Sequence, residues 1–178
     1  MLKERDYRNI DYLRFGNERQ VLAYKELIEL NIFERLKKFN PILAGTIPIE
    51  IDLPDSDLDI ICECDNQAEL SKILIKYFSG EKAFELKLYE RNGIDTIRVR
   101  FNTENFMVEI FGQNIPTQEQ NAYRHMLIED KIIREKGLEF KSKIIELKSK
   151  GFKTEPAFAI LLGLKGNPYE ELLKIKID

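Results

Sequence analysis

Between Glu50 and Asp65 the chain carries Glu50, Asp52, Asp55, Asp57, Asp59, Glu63 and Asp65, with no lysine or arginine among them. Like charges this dense repel one another, and nothing local offsets them. Strand alternation sorts them: Leu58, Ile60, Cys62 and Cys64 share one face, suited to a core, while Asp57, Asp59 and Glu63 share the other with Ile61. Two carboxylates two residues apart on one face form a platform for a hard divalent cation with oxygen ligands. The alternative for an isolated Asp-x-Asp is a solvated sheet face, but this pair is not isolated. The apolar run Phe106–Phe111 contains a single acid, Glu109, between Val108 and Ile110. An unpaired acid is costly to bury in such a strand. If the two strands lie side by side, Glu109 completes a three-carboxylate cluster. Upstream, Gly45-Thr46 makes a turn without a Cβ, through which backbone N–H groups can approach a phosphate.

The elements that must hold these residues follow from periodicity. Asn17–Leu36 reads as a helix, with Val21, Leu22, Leu27, Ile28, Ile32 and Leu36 as its apolar stripe and Pro41 beyond its end. Ile42-Leu43-Ala44 is a short strand, and Asp57–Glu63 a second after a connection containing Pro48 and Pro54. Asn66 caps a helix carrying Leu70, Ile73, Leu74 and Tyr77, stopped by Gly80. Strands are expected at Phe84–Glu90, Ile94–Phe101 and Phe106–Phe111, the first two joined by a hairpin at Asn92-Gly93. After Pro116 the chain turns helical. Thr117 and Gln120 suggest a capping box, and helices are expected to about Lys136, over Glu139–Lys150, from Thr154-Glu155-Pro156, and from Asn167-Pro168. The expected class is α+β, a mixed sheet flanked by helices. Residues 1–115 form the core and 116–178 a helical region packed on it.

The 178 residues suffice for one domain with its own core, without disulfides. Cys62 and Cys64, on the core-facing side of a strand, read as buried apolar residues of a reducing compartment. No apolar run is long enough to span a membrane, and the charged start Met1-Leu2-Lys3-Glu4-Arg5-Asp6 lacks the core of a signal peptide, so a cytoplasmic protein is expected. A net charge of −3 gives no global basic field for nucleic acid, leaving only local basic patches.

Several residues stand as further ligand candidates. Arg98 and Arg100 share a face of the Ile94–Phe101 strand and could reach a phosphate near Glu109; ion pairing across strands with Glu109 or Glu85 is the equal alternative. The helix after Pro116 offers Arg124 and His125 as contacts, although a lone histidine is more often structural. Lys153-Thr154-Glu155 opens a helix whose N–H groups can take an anion, with capping by Thr154 the plainer role.

The order apolar-Gly45-Thr46, then Ser56-Asp57-Leu58-Asp59-Ile60, then Val108-Glu109-Ile110 resembles the DNA polymerase beta-like nucleotidyltransferase superfamily, above all its minimal and aminoglycoside-modifying branches. The resemblance covers Pro41–Phe111. The part beyond it, including Glu119–Met126 and Gly151–Ala159, resembles a small bacterial family sharing this core. The resemblance implies that Gly45 and Thr46 contact the phosphates of a nucleoside triphosphate, with Ser56, Arg98, Arg100 and Arg124 as further candidate nucleotide contacts read from this sequence. It implies that Asp57, Asp59 and Glu109 hold Mg²⁺ or Mn²⁺, with Glu109 helping to deprotonate an acceptor hydroxyl on a small molecule, RNA or protein. Thr46 stands where relatives carry serine, and Glu109 where aspartate is commoner. Ile47-Pro48-Ile49-Glu50-Ile51-Asp52 stands where active relatives often have a basic helix. The alternative expectation is therefore a non-catalytic module of the same fold that binds a nucleotide or a protein.

Overall fold

The computed structural model describes residues 5–176. Met1 to Glu4, part of the stretch read above as no signal peptide, lie outside the described residues.

The chain builds a five-stranded mixed sheet in the order β1-β2-β5-β4-β3, from β1 (Ile42–Ala44), β2 (Leu58–Glu63), β3 (Lys82–Arg91), β4 (Ile94–Asn102) and β5 (Met107–Gln113). Only β2 and β5 run parallel; the other neighbours are antiparallel. Asn92 and Gly93 join β3 to β4 with φ of 54° and 75°, the left-handed pair that a two-residue hairpin demands.

Pleating divides the sheet as its sequence implies. On one face Leu58, Ile60 and Cys62 of β2 pack with Ile97, Val99 and Phe101 of β4 and Val108 and Ile110 of β5. This face is covered by α1 (Glu18–Glu29), α2 (Ile32–Arg35) and α3 (Gln67–Phe78). On the other face Ile42, Ala44 and Ile61 meet α4 (Asn121–Ser149), α5 (Thr154–Leu162) and α6 (Pro168–Leu173). The C-terminal helices thus share a core with Tyr7, Ile49, Ile51 and Ile61 from the first half of the chain.

Several local expectations change. The helix expected over Asn17–Leu36 divides, because Asn31 takes a left-handed φ of 48° after α1 ends. That turn keeps Leu27, Ile32 and Leu36 buried but leaves Ile28 half exposed. Asn17 and Gln20 supply a reciprocal capping box at the start of α1. No such box forms at Thr117 and Gln120: Thr117–Glu119 is a 3₁₀ turn, and α4 starts only at Asn121 with Gln120 preceding it. In α3, Phe78 rather than Tyr77 reaches the core. The separation expected after Lys136 appears as a break at Gly137 within α4, where φ is 81° and ψ is −172°. Thr154 makes no side-chain cap, since Lys153 occupies the N-cap position.

Candidate active site

Strand register brings the suspected residues into one row across the sheet. Asp59 lies opposite Ala44 on β1 and Glu109 on β5; Glu109 lies opposite Arg100 on β4, and Arg100 opposite Glu85 on β3. Parallel pairing of β2 with β5 places Glu109 beside Asp59. The lone acid in an apolar strand is thereby explained, because it lies on the face opposite Val108 and Ile110.

Gly45 follows β1 with φ of +83°, a conformation that L-residues rarely adopt. A Cβ here would collide with Oδ2 of Asp59, so the missing side chain also makes room for the carboxylate. Gly45→Ala is therefore expected to destabilise the fold by about 1–3 kcal/mol and to displace Asp59. Thermal denaturation with and without Mg²⁺ checks this: an alanine variant with wild-type stability and wild-type metal response would refute the close approach. Beside this turn, the Thr46 and Ser56 hydroxyls stand 3.5 Å apart, and Ser56 Oγ accepts from the Leu53 amide at 2.8 Å. Arg19 braces the same corner from α1, donating to the Ser56 carbonyl at 2.9 Å and pairing with Asp52 at 2.8 Å.

The electrostatics centre on Asp59. Burial, then repulsion from Asp57 and Glu109, pushes its carboxyl up from 3.8 to about 8, against the attraction of Arg100 and Lys148. Glu109 is held by Arg100, 2.5 Å away. Among the described residues no three His, Cys, Asp or Glu side chains are gathered into a ready metal-binding group. The donor chemistry nonetheless suits a hard cation at Asp57 and Asp59, since added positive charge would relieve the repulsion that raises Asp59. Glu109 stands beside them, engaged with its arginine.

The remaining candidates are distributed as follows. Arg98 lies 3.5 Å from Glu85, so both arginines make the cross-strand pairs that alternation allowed. Arg124 is exposed and contacts Asn121 rather than lining the cleft, because its position on α4 turns it away from the sheet. His125 is buried and bridges helices. Its Nε2 lies 2.8 Å from the Tyr169 carbonyl, to which it must donate, and its Nδ1 lies 3.5 Å from Glu155. The segment Ile47–Asp52 packs Ile47, Ile49 and Ile51 into the core. Its acids are neutralised from afar, Glu50 by Lys141 at 2.8 Å and Arg5 at 3.4 Å, and Asp52 by Arg19.

Gly45, Thr46, Asp59 and Glu109 open onto a cleft of about 690 Å³ between the sheet and α4–α6. This volume is ordinary for a small-molecule site. The hairpin tip at Arg91 and Asn92 and the side chains of Gln120, His125, Glu129, Glu155 and Tyr169 also line the cleft. Sequence reasoning missed Arg19, Glu129 and Lys148. The only available signal was an acid or base at the spacing of a buried helix face.

A sequence family described as "Domain of unknown function (DUF4269)" matches residues 25–175. No curated protein matches the chain. Among solved structures, the Cid1 poly(U) polymerase with magnesium and 3′-dATP bound is similar at a TM-score of 0.52 and 18% identity, over 75% of this chain and 41% of that one. A second Cid1 structure gives 0.52 at 13% identity, over 79% of this chain and 47% of that one. The GLD-2/RNP-8 complex gives 0.51 at 13%, over 85% and 57%. The chain thus spans about half the length of these nucleotidyltransferases and shares their fold, an α+β mixed sheet with flanking helices. None of its described helices is long and apolar enough to cross a membrane.

Proposed function

The chain belongs to the DUF4269 family, and we propose that it is a cytoplasmic, metal-dependent nucleotidyltransferase that moves a nucleoside monophosphate from a nucleoside triphosphate to an acceptor hydroxyl. The observation that carries this reading is the side-by-side placement of Asp59 and Glu109, with the Gly45 turn pressed against the Asp59 carboxylate. The fold shared with Cid1 and GLD-2 supports it.

Each residue then has a task. The Gly45 backbone and the Thr46 and Ser56 hydroxyls take the phosphates, with Arg98 and Arg100 on the same sheet face supplying positive charge. Asp57 and Asp59 hold Mg²⁺ or Mn²⁺, joined by Glu109. A cation held by these carboxylates would supply positive charge against the negative charge that builds up during an in-line displacement. The acceptor oxygen bonds to the α-phosphorus as the bond to pyrophosphate breaks, and the hydroxyl proton passes to the Glu109 carboxylate. For that, Glu109 must release Arg100, whose guanidinium becomes free for phosphate.

The test is to incubate the protein with Mg²⁺ or Mn²⁺ and each ribonucleoside triphosphate, with mixed small-molecule and RNA acceptors, and to follow pyrophosphate and the melting curve together. Nucleotide should stabilise the protein only with divalent metal, by about 2.7 kcal/mol at a hundredfold excess over the dissociation constant. Stabilisation without pyrophosphate would indicate a non-catalytic nucleotide-binding module. No shift with any triphosphate would end the nucleotide reading.

A further inference from the structure

One long edge of the sheet is open. β3 ends the strand order, so its outer side has no strand partner, and among the described residues β4 is the one element in extensive contact with it. A row of unpaired backbone N–H and C=O groups of this kind is a template for a further strand. No proline interrupts Lys82–Arg91. Irregularity is confined to its start, where Ala83 takes a φ of 58° and the register with β4 shifts before Glu85. The regular part bears exposed apolar surface, with Leu88 57% and Tyr89 37% exposed.

The two faces of this edge differ in chemistry. Leu86 and Leu88 lie opposite Val99 and Ile97 of β4, and Phe84 and Leu86 pack against the core on that face. Glu85 and Lys87 lie opposite Arg100 and Arg98, on the face of the cleft. An added strand must keep apolar side chains with apolar ones, which excludes every register displaced by a single residue. A second β3, running antiparallel about a two-fold axis, has few registers left. Centred on Glu85 or on Lys87, it sets like charges against each other. Centred on Leu88, it sets Glu90 against Leu86. Centred on Leu86, it sets Leu86 against Leu86, Phe84 against the exposed Leu88, and Glu85 against Lys87, the last two pairs twice by symmetry.

We propose that β3 is an interface with a second copy of this chain, whose own β3 adds antiparallel about Leu86 and joins the two five-stranded sheets into one. Lysine on an edge strand ordinarily blocks pairing. Here the residue it faces is an acid. Within one chain Glu85 already meets Lys87 at 2.8 Å and Arg98 at 3.5 Å. The Lys87 and Glu85 side chains nevertheless stay about half exposed, free to turn across the axis. The charged row Asp59, Glu109, Arg100, Glu85 then continues into Lys87 of the second copy, alternating in sign from Glu109 outward. An axis normal to the sheet keeps both clefts on the same side of it. This assembly stands or falls independently of the transfer reading.

The experiment is sedimentation velocity of the full chain between about 1 µM and 1 mM, a range matched to micromolar-to-millimolar dissociation constants. Dimer is expected to accumulate toward the upper end. Lys87→Glu sets carboxylates against each other across the axis, and Glu85→Lys sets ammonium groups against each other. Each variant alone should therefore weaken the dimer about tenfold or more. Mixed in equal amounts, the two variants should associate again, because each then faces its opposite while keeping the repulsion within its own strand. An ion pair confined to one chain cannot give that result. Leu88→Lys, at an exposed position, should also loosen the dimer and serves as the test if a charge variant fails to fold. A monomer throughout the range, variants that dimerise as the wild type does, or a mixture that stays monomeric would overturn the proposal.

Discussion

Asp59→Asn is expected to make the metal-free protein melt several degrees higher while lowering pyrophosphate release about a hundredfold or more. The two effects have one origin. Asp59 lies beside Asp57 and Glu109, and its carboxyl rises to about 8 because burial and both neighbours oppose its charge. Asparagine preserves the shape and is neutral without taking up a proton on folding, so the fold gains. The same change removes a preorganised charge from the place where metal and phosphate meet, and losses of two to three orders of magnitude are ordinary for such a group. Asp57→Asn should give the same activity loss with a smaller gain in stability. Calorimetric melting and a coupled pyrophosphate assay on the two variants decide the matter. An Asp59→Asn protein that melts lower, or that retains full activity, would show Asp59 to be a structural residue.

Stability of the metal-free protein is expected to fall as pH rises from about 5 to 8. Asp59 and Glu129 both have folded-state values near 8, far above their ordinary values of 3.8 and 4.5. Between those limits the folded chain therefore binds more protons than the unfolded one, and raising pH favours unfolding. The two sites act in the same direction, so their losses of stability add across the window. Glu50, lowered by Lys141 and Arg5 against its own desolvation, acts in the opposite sense, but below 4.5 and so outside the window. Saturating Mg²⁺ should remove the Asp59 share and leave that of Glu129. Urea midpoints at pH 5, 6.5 and 8, with and without Mg²⁺, measure both. A flat profile, or a slope that metal leaves intact, would contradict the placement of the acids.

The fold was legible wherever sequence signals were local and repetitive. Strand alternation identified Leu58, Ile60 and Cys62 as core residues, and Asn92-Gly93 marked its hairpin because few residue pairs accept two left-handed angles in succession. The misreadings occurred where a local rule met a tertiary demand. Gln120 was expected to cap a helix, but its amide instead tethers the start of α4 to the end of β2 through Cys62. Asn31 interrupts an apolar stripe whose spacing fits a single helix, because the turn lets α2 bury Ile32. Arg124 had a suitable residue type and a nearby position in sequence, but it lies on the wrong side of its helix.

By itself the sequence determined that Asp59 and Glu109 sit on the faces of their strands opposite the core, because alternation with period two fixes a side chain's face as soon as its neighbours' face is known. It also determined that a glycine turn precedes them. It did not contain which strands are neighbours. The parallel pairing of β2 with β5 joins segments far apart in the chain, and only that pairing sets Asp59 beside Glu109 and Glu109 beside Arg100. That Gln120 and Glu129 each bury an oxygen with no hydrogen-bond partner among the described residues was likewise decided by tertiary structure. Whether a buried polar atom has a partner depends on what the rest of the chain places around it.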